Sequence, residues 1–348
     1  MSEAPQQKDA ATRPSGIFTV IRRSFIIISM FACIVLAAGY MWSDVIRTAS
    51  GPHSQAVLFV LEKGAGTNTI KHKLYRAGVI AHPFHYYVHA RLQGRSYVPK
   101  AGEYEIPAGA SLADISALFH KGDVYQRRLV IPEGWRSFDV MEAINQADGM
   151  ISVILRPPPE GSVLPNTYFY HYGMDRRALL AQMQAMMEMK RAEIWAARAD
   201  KLPYKTLDQL VVMASLIEKE TGHSGERGLV SSVFVNRLRK GMRLQSDPTV
   251  AYGFAKDGIV PITLTKKHLA SPHRWNTYRH KGLPPTPIAN PGEDALIAAA
   301  QPEKSNYFYF VANGAGGHMF AKTLAEHNRN VRTYRSYLKR QKQEPGQE

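Results

Sequence analysis

The chain has 348 residues, enough for about two globular domains plus tails. With 45% hydrophobic residues and 10% aromatics it can fill a packed core, which excludes a wholly disordered chain. Lysine and arginine number 44 against 29 acidic residues, and the net charge of +15 favours anionic partners: nucleic acid, an acidic membrane face or an acidic polymer.

Residues 1–24 are expected to be a tail ahead of the apolar run, polar and disordered to about residue 20. Phe25 to Trp42 then read FIIISMFACIVLAAGYMW, 18 positions without a charge. About 17–25 such residues cross a bilayer. Arg22 and Arg23 precede the run, while Asp44 and Arg47 roughly cancel beyond it. The positive-inside rule therefore puts the N-terminus in the cytoplasm and the bulk of the chain outside. A cleaved signal peptide has a shorter apolar region, about 7–15 residues, followed by small residues. This run ends in Tyr40, Met41 and Trp42, so the expectation is an uncleaved single-pass anchor over residues 25–42. Nucleic acid then drops out of the expected partners, because the basic bulk of the chain leaves the compartment that holds it. The single cysteine, Cys33, lies inside the apolar run and excludes an intrachain disulfide.

After a linker over residues 43–54, AVLFVLEKG (Ala56–Gly64) predicts a strand running into a glycine turn. TNTIKHKLYRAGVI (Thr67–Ile80) predicts a helix capped by Thr67, with Ile70, Leu74 and Ala77 as its stripe. PFHYYVHARLQG predicts a second helix. AGEYEIPAG predicts another strand, and SLADISALFHKGD a helix with Ser111 as cap and Asp114 three residues on. Residues 55–126 thus form a strand-helix-helix-strand unit that resembles the LysM-like modules of glycan-binding cell-wall proteins. His82, His85 and His89 share a helix face, but no cysteine or acid accompanies them and no metal site is expected.

Residues 127–338 read as one larger domain, followed by a flexible tail over 339–348. YQRRLVIPEGW predicts its first strand, and RPPPEGSVLPNTYFYHYG (Arg156–Gly173) an ordered loop with short strands. Met174–Lys201 is a long amphipathic helix whose methionines fill the core. LVVMASLIEKETG (Leu210–Gly222) belongs to a helix capped by Thr206 with Gln209 three residues later. At about 100° per residue, Leu207, Leu210, Val211, Ala214 and Ile217 make an apolar stripe, Glu218 falls roughly 40° from its centre, and Glu220 roughly 120° away. An acid on an apolar stripe pairs, protonates or lines a cleft. Spacing alone leaves open a buried pair with Arg227 or Arg237, or a carboxyl kept protonated as a general acid. Downstream comes a polar and aromatic set: Asn236, Gln245, Asp247, Thr249, Tyr252, Asn276 and Tyr278. Amides, hydroxyls and aromatic rings beside one acid suit a sugar site. YFYFVANGAGGHMF (Tyr307–Phe320) predicts two strands around an Asn-Gly turn, and a basic helix closes the chain.

ASLIEKET, SSVFVNRLRKGMRLQSDPTVAYG, WNTYRHKGLPPTPIANPG and YFYFVANGAGGHMFAKTLAEHN together resemble the endolytic murein transglycosylases, the YceG-like family. AGEYEIPAGASLADISALFHKG, VIPEGW and EGSVLPNTYFY fit that family's upstream region. Trp275 stands where the family pattern has Tyr and keeps the flat aromatic surface. The resemblance implies an α+β fold: one transmembrane helix, a LysM-like module and a larger α+β catalytic domain. It implies an inner-membrane lyase without cofactor or metal, acting on nascent peptidoglycan strands alongside peptidoglycan synthases. The enzyme would cut the MurNAc-β-1,4-GlcNAc bond and leave 1,6-anhydro-MurNAc ends. Glu218 is then the catalytic acid and base, and Asn236, Gln245, Asp247, Thr249, Tyr252, Asn276 and Tyr278 are candidates for binding the sugar. Two alternatives stay open: a hydrolytic muramidase with Asp247 or Glu220 as second carboxylate, and a non-catalytic scaffold for cell-wall synthesis.

Overall fold

The computed structural model describes residues 16–255, 259 and 263–343. They are mixed: helices joined to three small antiparallel two-stranded sheets. Of the two tails expected from the sequence, residues 1–15 and 344–348 lie outside the described residues, while 16–24 and 339–343 are helical rather than flexible. The chain divides into two compact units, one ending at Tyr125 and the other starting at Gln126.

In the first unit, α1 runs from Gly16 to Thr48. The segment Val20–Thr48 is long and apolar enough to cross a membrane. Its large side chains stay exposed, Phe31 at 68% and Leu36 at 73%, so nothing in the described chain covers them. The helix continues past Trp42, so the linker expected from residue 43 is helical up to Thr48.

Next come β1 (Val57–Leu61), α2 (Thr67–Arg76), α3 (Pro83–Leu92), β2 (Gly102–Ile106) and α4 (Leu112–Lys121). β1 and β2 pair antiparallel, with Phe59 opposite Tyr104. Alternation along both strands sends Phe59, Leu61, Tyr104 and Ile106 to one face, where Ile70, Leu74 and Phe119 meet them. α4 carries the expected capping box of Ser111 and Asp114. α2 differs from expectation: Gly66 is its N-cap, Thr67 lies inside the first turn, and Ala77 is the exposed C-cap. His82 caps α3 by accepting from the Phe84 N–H through Nδ1, and His89 is buried against Gln93. Phe119 is fully buried between the Phe59 and Tyr104 rings. Phe119→Ala is expected to lower stability by about 3–5 kcal/mol, read as a fall in the denaturation midpoint.

The second unit opens with β3 (Arg127–Ile131), α5 (Ser137–Gln146), β4 (Asn166–Tyr170) and α6 (Arg176–Ala196). β3 pairs antiparallel with β4, so the proline-rich loop delivers a strand, as expected. Met183 and Met187 of α6 are fully buried, which bears out their reading as core, whereas Met189 of the same helix is 68% exposed and lies outside it. α7 (Leu207–Glu220) and α8 (Arg227–Arg239) follow, then the short α9 (Asp247–Gly253), α10 (Lys266–Ala270) and α11 (Glu293–Ala300). β5 (Tyr309–Ala312) and β6 (His318–Ala321) form the last sheet, and α12 (Leu324–Gln343) ends the described chain. Their turn is a five-residue loop over Asn313–Gly317 rather than a two-residue Asn-Gly turn. The Asn313 side chain accepts from the Ala315 and Gly317 N–H groups.

α7 lies at the centre of this unit. Every residue from Leu210 to Ile217 is buried, not only the stripe at helical spacing. α6, α8 and α11 pack around it, and a helix wrapped on all sides is apolar all round.

Candidate functional site

Two segments converge on the last turn of α7. The loop after β3, Pro132–Trp135, and the loop before α11, Ile288–Gly292, are zipped together by backbone. Gly134 N–H donates to the Asn290 carbonyl at 2.9 Å, and Asn290 N–H to the Trp135 carbonyl at 2.8 Å. The fully buried Asn290 side chain completes the clasp, accepting from Val163 N–H and donating to the Trp135 carbonyl and Ser137 Oγ. A buried amide with both N–H donors and its oxygen engaged is a rigid fastener.

This clasp delivers the Gly292 N–H to Glu218 Oε2 at 2.9 Å. Gly292 is the N-cap of α11, so the carboxylate sits at a helix N-terminus, where partial positive charge gathers. The other oxygen, Oε1, accepts from Arg227 Nη2 at 3.4 Å. The Glu218 side chain is only 5% exposed and that of Arg227 8%. Of the two cationic partners the sequence left open, the structure selects Arg227. Arg237 instead donates to the Phe308 and Leu244 carbonyls. Arg227 also reaches Glu133 at 3.1 Å and Asp294 at 3.4 Å, so one guanidinium gathers three carboxylates. Burial, and then the Glu218 charge, push the Glu133 carboxyl up. A Cβ at Gly292 would push the Glu133 carboxylate out of its present place beside Arg227.

Glu220 departs from the sequence reading, which turned it toward solvent. It is half-buried, and its carboxylate accepts from Ser246 Oγ at 2.5 Å. Burial pushes its carboxyl up to about 7, helped by the Asp247 charge and opposed by the Ser246 hydrogen bond and Arg237. Helix phase misses this because the 244–248 segment folds over the flank that an isolated helix would leave open. The unfolded chain loses this proton near 4.5, whereas the folded chain keeps it until about 7. The contribution to stability is therefore full below the lower value and is lost as pH rises through the upper one. Denaturant unfolding over a pH series is expected to show this downward slope in the wild type and a flatter one in Glu220→Gln.

Beside these acids lies a cavity of about 610 Å³ whose lining includes Gly134, Trp135, Lys219, Asp247 and Tyr252. The Lys219 ammonium donates to the Gly134 carbonyl at 3.3 Å. A second cavity of about 370 Å³ shares Arg136 and Tyr252 with it and adds Trp275 and Glu160. The Tyr252 and Trp275 rings meet edge to face at 5.5 Å. Tyr252 O–H donates to Glu160 Oε2 at 3.2 Å, and burial pushes the phenol up to about 12.

The seven polar candidates separate into two sets. Asp247 and Tyr252 line the first cavity, and Tyr278 O–H donates to Asp247 Oδ1 at 2.6 Å. Gln245 is exposed, with a left-handed backbone (φ 54°), and its N–H donates to the Thr277 carbonyl. Thr249 and Asn276 are fully buried and serve the scaffold: Thr249 shares hydroxyl bonds with Thr277 and the Ser246 carbonyl, and Asn276 donates to the Leu269 and Ser271 carbonyls. Asn236 donates to the Ser305 and Tyr307 carbonyls and borders a separate cavity. These three spend their side-chain hydrogen bonds on the scaffold, and the first cavity's lining does not include them. The sequence reading also passed over Glu133, Glu160 and Asn290, although VIPEGW, PPPEG and IANPG each carry one. Among the described residues no group of three or more histidines, cysteines or acids is arranged to hold a metal ion.

The sequence profile of the YceG-like family matches residues 59–333. An endolytic murein transglycosylase of Bacillus subtilis is 32% identical over 250 residues, 67% of this chain and 65% of that protein. One from Streptococcus pneumoniae strain D39 is 24% identical, over 87% of this chain and 63% of its own length. The chain thus spans less than two thirds of these curated relatives. A crystal structure of a YceG-like protein from Listeria monocytogenes superposes with a TM-score of 0.51 at 27% identity, covering 79% of this chain and 98% of that one.

Proposed function

Because the chain belongs to the YceG-like family, we propose that it is a membrane-anchored lytic transglycosylase that cuts peptidoglycan glycan strands from within. The bond cut is MurNAc-β-1,4-GlcNAc, and the product carries a 1,6-anhydro-MurNAc end. The observation that carries this reading is a nearly buried carboxyl, Glu218, fastened beside Gly134 and Lys219, which line a cleft with aromatic and polar groups. Glu218 protonates the glycosidic oxygen as the bond to the muramic C1 breaks. As carboxylate it then takes the proton of the muramic C6 hydroxyl, whose oxygen closes on C1. One carboxyl thus serves as acid and base with no attacking water, where hydrolytic glycosidases use a pair. Arg227 and the Gly292 N–H hold its two oxygens. Asp247, Tyr252 and Tyr278 offer hydroxyl-bonding and stacking groups to the sugars, while Asn236, Thr249 and Asn276 keep the walls in place.

A second reading has a specific observation behind it. Both Glu218 oxygens accept hydrogen bonds, the arrangement of a carboxylate, whereas the Glu220 carboxyl is pushed up to about 7. Catalysis near neutral pH suits an acid that titrates there. In that reading Glu220 is the proton donor and Glu218 a structural anion.

α1 is the membrane anchor in this proposal. An uncovered apolar helix of this length requires lipid, and its last turns pack into the first unit through Ile46. That contact supports an anchor over a removable leader. The N-terminus is cytoplasmic, the rest faces the wall, and peptidoglycan synthases are the neighbours that supply nascent strands. Purified protein digesting peptidoglycan sacculi, followed by mass spectrometry, tests the activity. An anhydro end is one water lighter than a reducing end, and mainly reducing ends would make the enzyme a muramidase.

A further inference from the structure

α3 has two faces. Tyr86 and His89 point into the core of the first unit, at 0% and 5% exposure. Phe84, Val88 and Leu92, spaced four apart, form a stripe on another face. Phe84 is 50% exposed and Leu92 68%, unusual for large apolar residues on a small module.

That stripe lies at the exit of α1. The Trp42 ring, last in the uncharged run, meets Phe84 at 6.3 Å and His85 at 6.4 Å between centroids. Leu92 and Val88 border a cavity of about 430 Å³ together with Tyr40, Ser43 and Arg47 of α1. Tyr40 belongs to the apolar run itself and is 74% exposed. One end of the stripe therefore touches Trp42, at the level where α1 leaves lipid, and the other borders a cavity that follows α1 from Tyr40 to Arg47. Tryptophan and tyrosine at that level are the usual markers of the membrane–water boundary. Two cations flank it: the Arg91 guanidinium and the Lys71 ammonium both lie over the Tyr87 ring, at 5.3 and 5.2 Å.

We infer that α3 is an interfacial helix, its Phe84–Val88–Leu92 stripe lying in the headgroup region of the leaflet from which α1 emerges. The occupant of this face is the bilayer already entered by α1, not a protein partner, because the stripe is continuous with the apolar surface of the spanning helix. Apolar side chains at that depth leave water, while Arg91 and Lys71 stand level with lipid phosphates. The first unit is then held to the membrane at two places, α1 and α3, and cannot swing freely on its anchor. This rests on the reading of α1 as a membrane anchor.

Environment-sensitive probes on single cysteines test it, in the full chain reconstituted into lipid nanodiscs. Cys33→Ser removes the native thiol, and Phe84→Cys, Leu92→Cys, Leu58→Cys and Phe31→Cys are labelled one at a time. All four positions are exposed, so the labels displace no core. The expected result is that brominated phospholipid quenches probes at 84 and 92 several-fold more than the probe at 58, with iodide in the buffer showing the opposite order. Equal iodide quenching at 84, 92 and 58 would overturn the interfacial placement while leaving the anchor intact. Absence of lipid quenching at 31 would overturn the anchor, and the inference with it.

Discussion

Glu218→Gln is expected to lower the yield of 1,6-anhydro ends from peptidoglycan by about a hundred- to ten-thousand-fold, the range for loss of a general acid–base group. The substitution keeps the shape of the side chain and an oxygen for the Gly292 N–H, and Arg227 keeps Glu133 and Asp294 as partners, so thermal unfolding beside the assay separates lost proton transfer from lost stability. Glu220→Gln serves as its partner experiment. With Glu218 as acid, Glu220→Gln should keep most of the activity and alter chiefly its pH dependence, since the replaced carboxyl is the one pushed up to about 7. The reverse ranking would move the acid role to Glu220. Unchanged cleavage in both variants, with folding intact, would make the chain a scaffold.

The second large effect concerns stability. Arg227→Met should cost about 3 kcal/mol, because removing one partner of a buried ion pair leaves the other charge uncompensated. The lower part of the usual range applies: Glu133 and Asp294 are 46% and 64% exposed and can turn to water, whereas Glu218 is 5% exposed and cannot. Thermal unfolding measures the loss. Combining Arg227→Met with Glu218→Gln should restore part of it, since the stranded charge is then gone. Additive losses would mean that the pair does not interact.

Much of the local structure was legible in the chain. The Ser111–Asp114 and Thr206–Gln209 boxes cap their helices as their spacing predicts. An apolar run ending in a glycine turn marked β1, alternation marked β2, and Met183 and Met187 at helical spacing became core in α6. What failed locally failed at edges: Thr67 lost the cap to Gly66, and α5, α10 and α11 carried too little periodic signal to be placed. The YceG-like resemblance was also legible, because long motifs recur in order.

The candidate site was only half legible. Helix phase turned Glu218 inward, and it is nearly buried; the same rule sent Glu220 outward, and it is not. The rule assumes one dry face, but α6, α8 and α11 surround α7 and the 244–248 segment covers its remaining flank. Polar residues gathered by type also divided by depth. Asp247 reaches the cleft, while Thr249, two positions on, is sealed beneath it.

By itself, then, the sequence determined the apolar helix at the N-terminus, the capped helices and paired strands, the family, and an acid set into the last turn of α7. These depend on neighbours within a few residues or on motifs read in order. Only the tertiary structure decided that Arg227 rather than Arg237 faces Glu218, and that Glu133, Asp294 and the Gly292 N–H join them. It alone brought Ser246 and Asp247 against Glu220. Those contacts link residues up to 94 positions apart, and whether a carboxyl is paired, protonated or open to a cleft is set by what the fold carries to it from that distance.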